Sequence, residues 1–182
     1  VSTTQANSMV SLGRADMKMC ETKKIEPLLI SKYPMYENSY YALFLKANFS
    51  PWKGRQMIEG KKLAWRKGYY SQVDFSVPVK YIEVSNGVSA LKMVILGRAD
   101  FYIDDMKLIH QSFEESGETF DQNLYRIEKV GTRKYFPVFS NSQRGKELRQ
   151  HFESELRKLY EDGILQKVFN EYGFNVPEYE FN

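Results

Sequence analysis

The sequence predicts an α/β chain folded as two lobes, the first of them discontinuous and its sheet incomplete. Three observations carry this expectation. The pentapeptide Leu-Gly-Arg-Ala-Asp occurs twice, at Leu12 to Asp16 and at Leu96 to Asp100. Extended apolar segments alternate with amphipathic helical ones, the pattern of α/β structure with mainly parallel sheets. Two irregular stretches, Phe49 to Gly54 and Tyr135 to Phe139, read as crossings between lobes. The division implied is residues 1–48 and 137–182 in lobe one, and 49–136 in lobe two. The pentapeptides lie too far apart for a solenoid, whose repeats run about 20–50 residues. One copy per lobe fits instead, and two lobes imply a cleft.

Taken in order, residues 4–12 read as a helix. Met9, Val10 and Leu12 form its apolar run, and Gly13 supplies the left-handed residue that stops it. Asp16 to Cys20 is a short strand, which places Cys20 in the core. Lys23 to Pro27 is a polar connector, Leu28 to Ile30 is extended, and Ser31 to Tyr36 turns around Pro34. Tyr40 to Lys46 is an aromatic strand buried on both faces. Lys61 to Arg66 is the next strand, and Gly68-Tyr69-Tyr70-Ser71 is the loop after it, with a hydroxyl ready to cap a helix. Val79 to Val84 is a strand, and Ser85 or Asn86 caps the helix that ends at the second pentapeptide. Asp100 to Ile103 is extended, Met106 to Phe113 helical, Glu114 to Asp121 a polar loop, and Leu124 to Val130 a strand. A long helix from about Arg144 to Tyr160 carries Leu148, Phe152, Leu156 and Leu159 as an amphipathic stripe. Gly163 breaks it, and Ile164 to Tyr172 is a last helix stopped by Gly173.

Composition narrows the classes. The chain has 182 residues, 42% hydrophobic and 27% charged, ordinary for a globular protein able to bury a core. Its 26 basic and 23 acidic residues give a net charge of +3, with bases and acids interspersed. Glu147, Arg149, Glu153, Glu155, Arg157 and Lys158 read as a solvated helix face, which argues against nucleic acid as a partner. Cys20 stands alone, so no intrachain disulfide is expected. With His110 and His151 it leaves too few ligands for a Cys/His zinc site. No metal and no cofactor is expected. No apolar stretch reaches membrane-spanning length, and the opening Val1-Ser2-Thr3-Thr4-Gln5 is polar, without the apolar segment of a signal peptide. The 13 Tyr and 12 Phe exceed the usual share. Most belong in the core, and the remainder suit a ligand cleft.

Three pieces resemble the type II periplasmic solute-binding proteins, in their amino-acid-binding branch (family 3). The Leu-Gly-Arg-Ala-Asp copies resemble that family's "L-x-x-G-(K/R)-x-D" before a strand in each lobe. Ile58-Glu59-Gly60-Lys61-Lys62-Leu63-Ala64 resembles the "L-x-G-K-x-V-(A/G)" that opens its second lobe, followed by the Gly68 loop. Leu159 to Gly173 resembles its closing "L-x-x-D-G-x-L-x-x-I-x-x-x-Y-G". Against that pattern the chain begins inside or just before the first helix of the repeat, so the first strands of lobe one are missing. A truncated product, a shortened variant, or a homodimer that completes lobe one would each account for that.

The resemblance implies a ligand site and its residues. Lys24 matches the position of an arginine that grips the ligand carboxylate, where lysine offers a point charge in place of a planar fork. Gly68-Tyr69-Tyr70-Ser71 matches the turn whose amides face that carboxylate, with Tyr69 and Tyr70 in place of small hydroxyl residues. Asp105 matches the carboxylate that holds the ligand ammonium, and Tyr33 and Tyr36 would wall the cleft. Each has a plainer reading: a solvated lysine, a serine cap, an aspartate cap for the helix at Met106, and aromatic packing around Pro34.

The implied function is a bacterial, periplasmic solute-binding module. It would close two lobes on an amino acid or small organic anion and deliver it to an ABC permease or a membrane receptor. No catalytic residue is needed. Two alternatives stand beside it. One is a degenerate sensor or interaction domain without ligand. The other is a cyclohexadienyl-dehydratase-like enzyme on the same fold, whose acid would be Asp104, Asp105 or Glu83.

Overall fold

The computed structural model describes residues 3–174 and 176–181. Val1 and Ser2, with which the polar opening starts, and Asn175 and Asn182 lie outside the described residues. In chain order the elements are α1 (Thr3–Ser11), β1 (Met17–Glu21), β2 (Leu29–Ile30), β3 (Tyr36–Leu45), β4 (Lys62–Arg66), β5 (Lys80–Val84), α2 (Gly87–Ile95), β6 (Phe101–Asp104), α3 (Met106–Ser116), β7 (Tyr125–Phe139), α4 (Gln143–Glu161) and α5 (Ile164–Glu171). They form two compact units, residues 1–38 with 134–182, and residues 39–133. β3 carries the chain into the second unit and β7 carries it back.

In the second unit the strand order is β3-β6-β4-β5. β4 pairs parallel with β5 and with β6, whereas β3 pairs antiparallel with β6, Tyr41 opposite Asp104 and Leu43 opposite Tyr102. Successive residues of a strand face opposite sides. Leu63 and Trp65 of β4, with Phe101 and Ile103 of β6, therefore enter one core with Phe44, Phe49 and Phe75. Ala64 and Tyr102 face the other side, under Ala90, Leu91 and Val94 of α2 and Ile109 and Phe113 of α3. Trp65, Phe101, Leu63 and Leu91 are fully buried, and each such side chain contributes about 1.5–3 kcal/mol. Ser39 onward belongs to this unit, ten residues before the expected boundary, because Tyr40, Ala42 and Phe44 pack into its core.

The first unit is thinner. β1 and β2 each pair antiparallel with the end of β7, Met17 and Leu29 both opposite Phe139. The mainly parallel arrangement expected from the sequence thus holds for β4, β5 and β6, and not for β1, β2, β3 and β7. The core is Val10, Leu28 and Val138, with Ala15, Ile25 and Ile30 against it. Of the α4 stripe only Leu156 is buried, and Leu159 is 37% exposed. Ile164, Val168, Tyr172 and Phe174 also meet solvent, so this unit leaves apolar surface uncovered.

Both pentapeptides build the same turn. Gly13 and Gly97 take φ of +68° and +66°. The amides of Arg14 and Ala15 donate to the Met9 carbonyl, as those of Arg98 and Ala99 do to Met93. This is the glycine-stopped helix end the repeat predicts, once in each unit.

Two expectations fail. Cys20 is exposed with φ of +68°, because β1 shifts register between Lys18 and Glu21. Glu21, paired with Lys18, takes the inward place instead. The segments read as a strand at 124–130 and a crossing at 135–139 are one 15-residue strand, β7. Gly131 does not break it, since a Cβ there would meet the Tyr40 ring at 2.4 Å; the glycine marks a close approach. Among the described residues no helix is long and apolar enough to cross a membrane.

Candidate ligand site at the carboxyl edge of the second unit

β4, β5 and β6 run parallel, so their carboxyl ends lie along one edge of the sheet, where open α/β sheets place ligand contacts. Arg66 ends β4 and Asp104 ends β6. The Gly68 loop, the start of α2 and the start of α3 follow these three strands.

Arg66 and Asp104 form a buried ion pair, Nε to Oδ2 3.0 Å, with side-chain exposures of 17% and 0%. The Tyr102 hydroxyl donates to Asp104 Oδ2 at 2.8 Å, and the Asp105 amide donates to Oδ1 at 3.0 Å. The carboxylate is thereby filled with donors, as a buried charge must be. Burial pushes the Asp104 carboxyl up from the ordinary carboxylate range, against the pull of Tyr102, Arg66 and the Asp105 amide. Burial and the Asp104 charge push the Tyr102 phenol up as well. Ser112 Oγ, 2.9 Å from the Tyr102 hydroxyl, extends the network into α3.

The loop after β4 separates its two tyrosines. Tyr69 is 48% exposed, and the Arg66 guanidinium carbon lies 5.8 Å from its ring centre. Tyr70, expected at a cleft lip, turns into the core beside Tyr40 and Trp65, with the Arg133 guanidinium 4.1 Å from its ring centre. Arg133 also donates to the Tyr69 carbonyl, so this strand residue pins the loop from behind. Ser71 caps a three-residue 3-10 turn, Gln72–Asp74. Asp74 Oδ2 accepts from the Ser71 amide at 2.8 Å and from its hydroxyl at 3.1 Å. A turn so short, with a reciprocal cap, meets its own hydrogen-bonding needs.

Asp105 is the residue before α3, and its side chain makes no capping bond to that helix. Asn86 caps α2 by accepting from the Ser89 amide at 2.8 Å. Glu83 accepts from the Gly68 amide at 3.0 Å. Tyr69 and Ser71 thus follow the end of β4, and Asp105 follows the end of β6. Lys24, Tyr33 and Tyr36 belong to the first unit. Lys24 is 65% exposed and pairs with Glu26 at 2.6 Å. Tyr33 packs on Phe181 and Tyr179, the latter phenol pushed up to about 12 by burial. Tyr36 stacks on Tyr135 at 4.6 Å and donates to Cys20 Sγ. Among the described residues no cluster of three His, Cys, Asp or Glu could hold a metal ion.

Arg66 was not anticipated. Its signal was a cation directly after the apolar run Leu63-Ala64-Trp65, at the carboxyl end of a strand.

No protein-family model and no curated protein sequence matches the chain. Solved structures do. GshT of Streptococcus mutans, a protein of glutathione import in Gram-positive bacteria, is 19% identical with a TM-score of 0.66, over 98% of this chain and 78% of that one. The GluR0 ligand-binding core in complex with L-glutamate is 14% identical with a TM-score of 0.65, over 91% and 76%. The ancestral amino acid-binding protein AncCDT-1, a precursor of cyclohexadienyl dehydratase, is 19% identical with a TM-score of 0.63, over 96% and 76%. At these identities the likeness is one of fold. The chain has the two-lobed α/β fold of the type II periplasmic binding proteins.

Proposed function

We propose that the chain is an extracytoplasmic solute-binding module for a small polar ligand, an amino acid or organic anion, serving ABC import or sensing. The observation that carries this reading is the carboxyl edge of the second unit, where Arg66 ends β4 and the exposed Tyr69 and Asp105 follow the ends of the parallel strands β4 and β6. The solved relatives supply its context: GshT serves glutathione import, and the GluR0 core holds L-glutamate. Ser71, Lys24, Tyr33 and Tyr36 complete the proposed ligand contacts, with an ABC permease or membrane receptor as the protein partner. In this reading the lobes are residues 1–38 with 134–182, and 39–133.

Of the acids considered for an enzyme, Asp104 is held by Arg66 and Tyr102, and Glu83 accepts from Gly68. Binding without chemistry suits these roles. A sensor that has lost its ligand is the second reading, favoured by the buried Tyr70 and by the pairing of Lys24 with Glu26.

A thermal-shift panel of amino acids, polyamines, dicarboxylates and prephenate tests the proposal. A ligand of the folded state at a hundred times its dissociation constant adds about 2.7 kcal/mol and raises the Tm. A saturable shift with one chemical class supports solute binding. No shift from a cooperatively melting chain leaves the ligand-free sensor.

A further inference from the structure

We propose that the second unit carries a further binding site, for a small aromatic carboxylate, in a cavity walled by β3, β7 and the 3-10 turn after the Gly68 loop, with Arg55 as the anion contact. The site is separate from the carboxyl edge and stands whether or not that edge binds a solute.

The cavity measures about 260 Å³, and every residue lining it lies within the second unit. Its floor is apolar. Tyr40 of β3, Val130 of β7, Ile58 and Phe75 are buried there, on the face of the sheet away from α2 and α3. The rings of Tyr40 and Phe75 meet edge to face with centres 5.9 Å apart. The rim is polar: Arg55, Ser76 and Thr132 line it and are exposed. Among the described residues these three side chains make no ion pair or hydrogen bond, so their donors are free for a ligand.

The other polar groups of the cavity are already engaged. Asp74 Oδ2 accepts from the Ser71 amide and hydroxyl, and Oδ1 lies 4.0 Å from Arg133 Nη1. The Tyr40 hydroxyl donates to the Asp74 carbonyl. Arg55 is therefore the uncompensated charge. It opens the 3-10 turn Arg55–Ile58, whose last residue enters the floor, so one short element supplies both the cation and an apolar contact. Burial and the Asp74 charge push the Tyr40 phenol up, whereas Arg133 and Arg55 pull it down, so the field of Arg55 reaches the floor.

An apolar floor with a few polar groups at its mouth is the usual form of a small-molecule site. A flat ring covers the floor, and one carboxylate takes a charge-assisted contact from Arg55 with Ser76 and Thr132 as further donors. An ammonium would meet Arg55, and a dianion would bring a second negative charge towards Asp74. The volume falls just below the range of about 300–1,000 Å³ typical of drug-sized ligands, which limits the occupant to a single ring.

The test is titration of the nitrogen-15-labelled chain with benzoate, benzamide and benzylamine at constant ionic strength, repeated with Arg55→Gln and Arg55→Lys. Benzoate should give saturable shifts at the amides of Arg55, Ser76, Gly131 and Thr132, with benzamide and benzylamine binding at least about tenfold more weakly. Arg55→Gln should weaken benzoate about tenfold while leaving the ligand-free Tm unchanged, because this exposed side chain holds no partner. Arg55→Lys keeps a cation and should retain part of the affinity. Benzoate and benzamide binding equally to the unmodified chain overturns the inference, and that comparison needs no variant to fold. Unchanged benzoate binding in Arg55→Gln also overturns it. So does an absence of shifts at these four amides, and shifts confined to Gly68, Tyr69, Gly87 and Asp105 would leave solute binding at the carboxyl edge standing alone.

Discussion

Arg66 and Asp104 end two paired parallel strands and meet there, Nε to Oδ2 3.0 Å, with the carboxylate fully buried. Removing one partner of a buried pair strands the other, which typically costs about 3–5 kcal/mol. Arg66→Met is expected to destabilise the chain by that order at neutral pH, measured by urea denaturation.

The cost depends on pH, and its sign follows from Asp104. Burial raises this carboxyl in the folded state, so the folded chain takes up the proton more readily than the unfolded one. Its contribution is most favourable below the unfolded value of about 3.9 and is lost as pH rises through the raised folded value. Without the Arg66 cation that value rises further. The penalty of Arg66→Met should therefore shrink as pH falls towards 4, and a pH-independent penalty would contradict it.

Gly87 sits where this network is tightest. A Cβ there would lie 2.1 Å from Ser112 Oγ and 2.6 Å from both Arg66 Nη2 and the Tyr102 hydroxyl oxygen. Gly87→Ala forces the network apart and should cost about 1–3 kcal/mol, although alanine is the better helix former. A gain in stability on chemical denaturation would show that the network yields without strain.

The repeated turns make a matched pair. At Gly13 and at Gly97 a Cβ meets nothing within 4 Å, so only the positive φ opposes a side chain. L-alanine at either position should cost about 1–2 kcal/mol, and D-alanine introduced by semisynthesis should cost nothing. Unequal L-alanine penalties in denaturation curves would mean the two turns are not energetically alike.

The uncovered stripe of α4 predicts an unequal response along one helix face. Leu156 is 7% exposed and Leu159 is 37% exposed. Leu156→Ala should cost about 2–5 kcal/mol and Leu159→Ala well under half of that. The groove of about 320 Å³ beside them, lined by Met17, Phe139 and Phe152, should bind an apolar dye in the native state. Equal losses at the two leucines would mean that the whole stripe is covered in solution.

How much of this was legible in the sequence varies with the kind of signal. The pentapeptide turns were readable because glycine after an apolar helical run has one main use, and the α4 stripe because its period is helical. The direction of β3 was not readable, since the apolar run from Tyr40 to Leu45 records burial on both faces and nothing about its neighbour's polarity. β7 was read as a strand at 124–130 and a crossing at 135–139, and the close approach of the Tyr40 ring that explains Gly131 within one continuous strand exists only in the fold. Cys20 followed strand alternation that a register shift overrode. At the candidate site the sequence offered Tyr69, Ser71 and Asp105 as ligand contacts, and what the fold adds is only their places after β4 and β6. Arg66 was missed because its partner Asp104 is distant in the chain and meets it only through the parallel pairing of β4 and β6.

The most direct measurement is a nitrogen-15 amide spectrum of the folded chain during titration with L-glutamate, L-arginine and glutathione. The account predicts saturable shifts with at least one of them at Gly68, Tyr69, Gly87 and Asp105, the amides along the carboxyl edge. Saturable shifts confined to other residues, or none at all, would contradict it.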